Sequence, residues 1–361
     1  MGLIWSMQPV GGPTPGHVPD FLAPTPLRLT AQIDGKPVAW TEVERLRVPD
    51  DVVREDVREQ GLVGTLYRPA GDERVPGVIL LGGAEGGMHE DDAALLAAHG
   101  YAALALAYYG MPGLPPTLRD VPLEYFGAAL DHMRRHPNVR AERLAVVGAS
   151  KGGEAALLIG SILGGLRAVV SVVGSGLVTQ GISQNVLSGS FLEILATPVA
   201  SWTYQGRELP YLPNIITPRM EQAVAEGSPV ALKWAMPEHE MHAGDLVSAA
   251  TIPVDRIDGA VLLISGEDDQ GYGVGFHDPA ARRLARSDHP GNWRHIIHKG
   301  AGHLIAAPPY GPTTQSTSPG PGVTFVHGGT PAADARAREA TWRQILDFLR
   351  LELGDGAALQ Q

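Results

Sequence analysis

From residue 76 onward, short apolar runs alternate with stretches of helical period. Val78-Ile79-Leu80-Leu81 reads as a strand ending in Gly82-Gly83, a helix is expected after Met88 with a stop at Gly100, and residues 101–107 form a second strand. Leu123, Phe126, Leu130 and Met133 share one helical face closed by Pro137. Strands at 144–147 and 168–173 flank a helix over 151–163, and strands at 261–264 and 293–297 follow. An amphipathic helix over 332–353 closes the series, with Trp342, Ile345, Leu346 and Leu349 on one face. Strands apolar on both faces, separated by helices, predict a mostly parallel sheet covered on both sides. Ahead of this block, residues 27–33 and 38–48 alternate apolar and polar around Asp34-Gly35, a hairpin signal. These few strands cannot bury a core alone and are expected to lean on the α/β block. The rhythm breaks over about 180–250, where Phe191, Trp202, Tyr204, Pro210, Tyr211 and Pro213 are interleaved, as in a lid inserted over a site. The expected division is a lead-in with a partial β element over 1–75, an α/β domain over 76–354 carrying the 180–250 insertion, and a tail over 355–361.

Composition narrows the partners. Lys+Arg total 28 against 39 Asp+Glu, a net charge of −11, so no nucleic-acid partner is expected. Gly 45 and Pro 30 call for many turns and long loops without reaching the composition of a disordered chain. Cysteine is absent, which excludes disulfides, thiolate metal sites and a cysteine nucleophile together. No apolar run has membrane-spanning length, and the first basic residue is Arg28, so neither a membrane nor a secretory route is expected and a cytoplasmic location is the default. Met1-Gly2-Leu3-Ile4-Trp5-Ser6 fits a loose myristoylation pattern, but 4 Lys against 24 Arg is not the usage of a lipid-anchored signalling protein.

Gly148-Ala149-Ser150-Lys151-Gly152 matches G-x-S-x-G. The string is weak by itself, but here it follows an apolar strand and opens a helix, the setting that holds a serine in a strained turn with its hydroxyl exposed. The competing view is a glycine-rich packing turn with an incidental serine. A serine nucleophile needs a base, and the base needs an orienting carboxylate. Gly266-Glu267-Asp268-Asp269 and Gly300-Ala301-Gly302-His303 each follow a later strand, in the order serine, acid, histidine. Asp269 stands further from the strand end than Asp268 and is better placed to reach His303, while Asp268 stays open. His295 and His298, within or at the end of their strand, are expected to face solvent or the sheet. One oxyanion donor is expected from the backbone N–H of Lys151, the other from Gly83 or Ala84 in Gly82-Gly83-Ala84-Glu85-Gly86-Gly87. That loop carries no phosphate-binding pattern, so no nucleotide is expected. Glu85 with Glu90-Asp91-Asp92 suits the first turn of the next helix, with a site role for Glu85 as the alternative. Tyr108, Tyr109, Trp202, Tyr204 and Tyr272 are candidate pocket residues, Tyr108 and Tyr109 being equally suited to ordinary packing. His239-Glu240-Met241-His242 has histidines three apart and no evident third ligand, so neither a metal nor any other cofactor is expected.

On these segments the chain resembles the acyl-CoA thioesterase and bile acid-CoA:amino acid N-acyltransferase family, from about residue 45 to 354. The resemblance rests on Gly61-Leu62-Val63-Gly64-Thr65-Leu66, Ala103-Leu104-Ala105-Leu106-Ala107-Tyr108-Tyr109, Leu123-Glu124-Tyr125-Phe126, Gly148-Ala149-Ser150-Lys151-Gly152-Gly153-Glu154, Gly266-Glu267-Asp268-Asp269, Gly302-His303-Leu304-Ile305 and Gly328-Gly329-Thr330-Pro331. It implies an α/β-hydrolase fold with Ser150, Asp269 and His303 as nucleophile, acid and base, and it implies Asp269 over Asp268. It also implies an acyl thioester or ester substrate, with water or another acceptor completing the reaction, and leaves open a second copy of the chain as partner. Three departures stand out. Only the last strands of the family's N-terminal β-sandwich have counterparts, in residues 27–67; the 180–250 insertion is longer and differently composed; and Gln270-Gly271-Tyr272 replaces the usual His-Asn-Trp. The family's acyltransferase branch commonly uses a cysteine nucleophile, so the absence of cysteine favours hydrolysis over acyl transfer or cyclisation. A non-catalytic binding module on the same scaffold is the alternative from another class.

Overall fold

The computed structural model describes residues 2–7, 24–46, 48–49, 51–184, 190–236, 244–320 and 323–354. A short helix α1 (Gly2–Trp5) precedes the hairpin β1 (Thr25–Ile33) and β2 (Lys36–Arg45), whose turn is Asp34-Gly35, both with positive φ. Such a turn matches the right-handed twist of the strands it joins. Among the described residues this hairpin pairs only with itself. By contrast β3 (Val52–Val57) and β4 (Val63–Pro69) pair antiparallel with each other, and β4 pairs antiparallel with β6 (Ala102–Ala107), reached through β5 (Val75–Leu81) and α2 (Glu90–Ala98). The stretch 27–67, expected as one small β element, therefore divides. Its second half, including the fully buried Leu66 and Tyr67, is two strands of the main sheet, and only its first half stands apart. The alternating pattern that suggested an accessory hairpin is equally that of strands at a sheet edge.

β7 (Val121–Pro122) leads into α3 (Leu123–Arg135), then β8 (Val139–Ala149), α4 (Lys151–Leu158) and β9 (Ala168–Val172). Leu123, Phe126, Leu130 and Met133 are all buried on α3, the face their spacing predicts. The insertion holds α5 (Phe191–Ala196), the short strands β10 (Trp202–Tyr204) and β11 (Arg207–Glu208), α6 (Pro218–Ala225) and α7 (Gly244–Ala250). It is fastened to the body, since β10 runs parallel to β7 and Val230 bridges to Phe325. Then come β12 (Ala260–Gly266), α8 (Asp278–Arg286), β13 (Trp293–His298), the hairpin β14 (Ser316–Gly320) and β15 (Val323–Val326), and α9 (Pro331–Leu353). The last hairpin lies in a stretch rich in Gly and Pro, between Pro308 and Pro331.

Eight strands form one sheet in the order β13-β12-β9-β8-β5-β6-β4-β3, parallel from β13 to β6. One core packs α3, α4 and α8 on one face, through residues such as Phe126, Leu157 and Leu284. The other packs α2 and α9 on the opposite face, through Leu96, Ile345 and Leu349. The chain leaves β5 toward β6, then returns across β5 to β8. Strand order thus reverses around β5, and the crevice outside the carboxyl ends of β5 and β8 is where open α/β sheets place ligands. Among the described residues no helix is long and apolar enough to cross a membrane.

Candidate active site

Ser150 sits between β8 and α4 with φ 53° and ψ −118°. A non-glycine residue held there costs about 1–3 kcal/mol, sustained by the surrounding structure. Its flanking glycines are sterically required, because a Cβ on Gly148 would lie 1.9 Å from the Gly152 carbonyl oxygen and one on Gly152 would lie 2.3 Å from that of Gly82. The Ser150 N–H donates to the Val172 carbonyl (2.9 Å), anchoring the turn to β9.

His303, in the loop after β13, brings Nε2 to 2.9 Å from Ser150 Oγ. Its Nδ1 stands 2.9 Å from both carboxylate oxygens of Asp269, in the turn after β12. Asp269 is buried and also accepts the Gly271 N–H at 2.7 Å. The neighbouring Asp268 points elsewhere, accepting from Gly329 N–H and the Gln270 amide. His295 and His298 are taken up by Ser265 and Thr341 respectively, away from this array. Burial acts to lower the pKa of His303, but Asp269, aided by Glu85, more than offsets it and holds the imidazole above its ordinary value. The sequence did not single out His327. Its carbonyl accepts the His303 N–H at 2.8 Å and its ring stacks on His303 with centroids 6.3 Å apart. Burial, then the neighbouring His303, push its own pKa down to about 4.

The two oxyanion alternatives separate in the loop after β5. A Cβ on Gly83 would lie 3.0 Å from Ser150 Cβ, so this loop adjoins the serine, but the Gly83 N–H already donates to Glu85 Oε1 at 2.9 Å. Among the described residues the N–H groups of Ala84 and Lys151 have no hydrogen-bond partner. Glu85 is itself held by His89 Nε2 (2.9 Å), whose Nδ1 faces Asp92 at 3.3 Å. Against the pull of burial, Asp92 and Glu85 raise the His89 pKa to about 10, favouring its charged form.

Two of the expected pocket residues, Tyr108 and Trp202, are buried with their polar atoms on protein partners. Tyr108 is buried and donates to the Gly82 carbonyl at 2.7 Å, supporting the loop from beneath. The Trp202 ring is fully buried, its indole N–H donating to Glu154 at 2.7 Å. Buried Tyr and Trp place their polar tips on partners, so neither forms an open pocket wall. Tyr204 lines an apolar groove of about 360 Å³ with Leu158, Ile162 and Leu209. Leu158 lies eight residues along from Ser150, about two helical turns away. Tyr109 packs against Gly86, where a Cβ would lie 3.2 Å from its ring, and Tyr272 meets His303 edge-on with centroids 6.1 Å apart. Those two, with Glu85, adjoin the serine–histidine array. The motif at 239–242 lies outside the described residues.

The family description "BAAT / Acyl-CoA thioester hydrolase C terminal" matches residues 121–355. The chain is 31% identical over 325 residues to acyl-coenzyme A amino acid N-acyltransferase 2 of Mus musculus, covering 90% of this chain and 71% of that protein. It is 29% identical over 362 residues to mitochondrial acyl-coenzyme A thioesterase 2 of Homo sapiens, covering 98% and 69%. Among solved structures, the acylaminoacyl peptidase of Pyrococcus horikoshii superposes with a TM-score of 0.51 at 13% identity, over 86% of this chain and 42% of that one, a likeness of α/β-hydrolase fold. With this sheet order and these matches, the chain belongs to the BAAT and acyl-CoA thioester hydrolase family, as an α/β-hydrolase enzyme of the acyl-CoA thioesterase type.

Proposed function

We propose that this enzyme hydrolyses an acyl thioester of the acyl-CoA kind, or a related ester, through an acyl-enzyme on Ser150. The observation that carries the reading is the continuous hydrogen-bonded line from Ser150 Oγ through His303 to Asp269. Ser150 Oγ attacks the acyl carbonyl carbon while His303 Nε2 takes its proton. Asp269 holds Nδ1–H and so fixes the tautomer that leaves Nε2 free to accept. The oxyanion is received by the N–H groups of Lys151 and Ala84, which have no other partner among the described residues, rather than by the Gly83 N–H that Glu85 occupies. Collapse expels the thiolate or alkoxide, which His303 protonates; His303 then deprotonates a water that attacks the acyl-enzyme and releases the acid.

Replacing Ser150 by alanine is expected to abolish turnover of acyl-CoA and p-nitrophenyl esters while leaving the melting temperature nearly unchanged. A fluorophosphonate probe should label the wild type at this residue. Full activity in Ser150→Ala would sink the assignment. The relatives named N-acyltransferases support one second outcome, transfer of the acyl group to an amine. Product analysis by mass spectrometry with amino acids present as acceptors separates an amide from the free acid.

A further inference from the structure

Directly behind the nucleophile turn lies a buried ion pair that the proposed reaction does not use. Lys151 and Glu154, in the first turn of α4, are both buried, and Lys151 Nζ stands 2.8 and 3.0 Å from the two Glu154 oxygens. The same ammonium donates to the carbonyl and the hydroxyl of Thr179, each at 2.7 Å. Glu154 in turn accepts from the Trp202 indole (2.7 Å), the Thr179 hydroxyl (2.7 Å) and N–H (3.2 Å), and the Tyr272 hydroxyl (3.3 Å). The pair therefore ties together four segments: the helix carrying the nucleophile, the chain entering the insertion at Thr179, the insertion strand β10 at Trp202, and the loop that begins at Asp269 and carries Tyr272 against His303.

Removing both charges from water costs about as much as their attraction returns, so a buried pair of this kind is a poor stabiliser compared with apolar residues of the same shape. Its placement suits a geometric task. Lys151 supplies the oxyanion donor from its own backbone, and Tyr272 bears on the base. Resting on the serine-hydrolase reading above, we infer that Lys151 Nζ and Glu154 are positioning residues that hold the Lys151 N–H and the His303 loop in register with Ser150, and that lock the insertion to that same point. Misplacement of a reacting geometry by about 1 Å can cost on the order of 10²-fold in rate without touching substrate affinity.

The test compares Glu154→Gln with the neutral pair Lys151→Met/Glu154→Gln, which removes both charges and keeps one side-chain oxygen as acceptor for the Trp202 indole. Glu154→Gln alone is expected to lower both stability and kcat. The double variant is expected to recover the melting temperature while kcat stays about 10–100-fold below wild type with KM within about twofold. Wild-type kcat in the refolded double variant overturns the inference, since the pair would then be structural only. If the double variant does not fold, Trp202→Phe removes the indole donor to Glu154 with the ion pair left in place, and Trp202→Leu, which removes the donor and the aromatic ring together, serves as the packing control. A several-fold fall in kcat at constant KM then supports the inference, and an unchanged kcat overturns it. Failure of the underlying reading shows separately, as turnover surviving Ser150→Ala.

Discussion

At the scale of single residues, the site depends on how backbone N–H groups and charges are apportioned within a few ångströms. Glu85 illustrates this, because its carboxylate occupies the Gly83 N–H and also contributes to raising the His303 pKa. A general base must be neutral to accept the serine proton, so kcat/KM should rise with pH through a midpoint above the ordinary histidine value. Glu85→Gln withdraws a negative charge and should move that midpoint to lower pH, measured as the acid limb of the kcat/KM profile; an unmoved limb would contradict the coupling. Ser150, Asp269 and His303 were legible because the elbow pattern, the strand ends and the chain order constrain them. That the Gly83 N–H is taken by Glu85 was not, since it hangs on a side chain two residues away folding back onto the loop. Lys151 and Glu154 did carry a faint signal, an i,i+3 charge pair opening an otherwise apolar helix, but only their burial distinguishes them from a solvated pair.

At the scale of elements, the parallel strands were read from their unbroken apolar runs, and α3 and α9 from their periodicity. Less visible is the polar chain that crosses β9, β12 and β13 within the core. Ser171 Oγ meets His277 Nε2 at 2.9 Å, His277 Nδ1 meets Ser265 Oγ at 2.9 Å, and Ser265 meets His295 at 3.0 Å. Burial, then the adjacent His295, lower the His277 pKa from 6.5 to about 3. In the unfolded chain this histidine takes up a proton below about pH 6.5, whereas in the fold it stays neutral until far lower. Stability should therefore be fully present above about pH 6.5 and decline as pH falls toward 3, by up to roughly 1.4 kcal/mol per pH unit from this group. Urea midpoints between pH 7.5 and 4.5 check this. His277→Gln, less stable at neutral pH, should show a shallower slope, and an equal slope would remove His277 as the cause.

At the scale of the whole molecule, β1 and β2 stand outside the economy of the sheet. Ile33, Trp40 and Leu46 on or beside them are 65%, 60% and 69% exposed. A variant lacking residues 24–46 should keep its melting temperature within a few degrees and retain fluorophosphonate labelling of Ser150, because the eight-stranded sheet begins at β3. A large loss in calorimetry would show that the hairpin is integral after all. The described part of the insertion, expected as a lid, is fastened to the body by β7, by a bridge to β15 and by Glu154. The primary sequence by itself determined the α/β class, the strand that ends at Ser150, and the chain order of Ser150, Asp269 and His303 at successive strand ends, because these rest on local periodicity and on glycines that only one backbone path tolerates. Tertiary structure alone decided which strands join the main sheet, that Glu85 takes the Gly83 N–H, and which aromatics are spent on buried charges. The first and last of those outcomes depend on contacts between segments tens to hundreds of residues apart, where no local pattern records which polar group will find a partner.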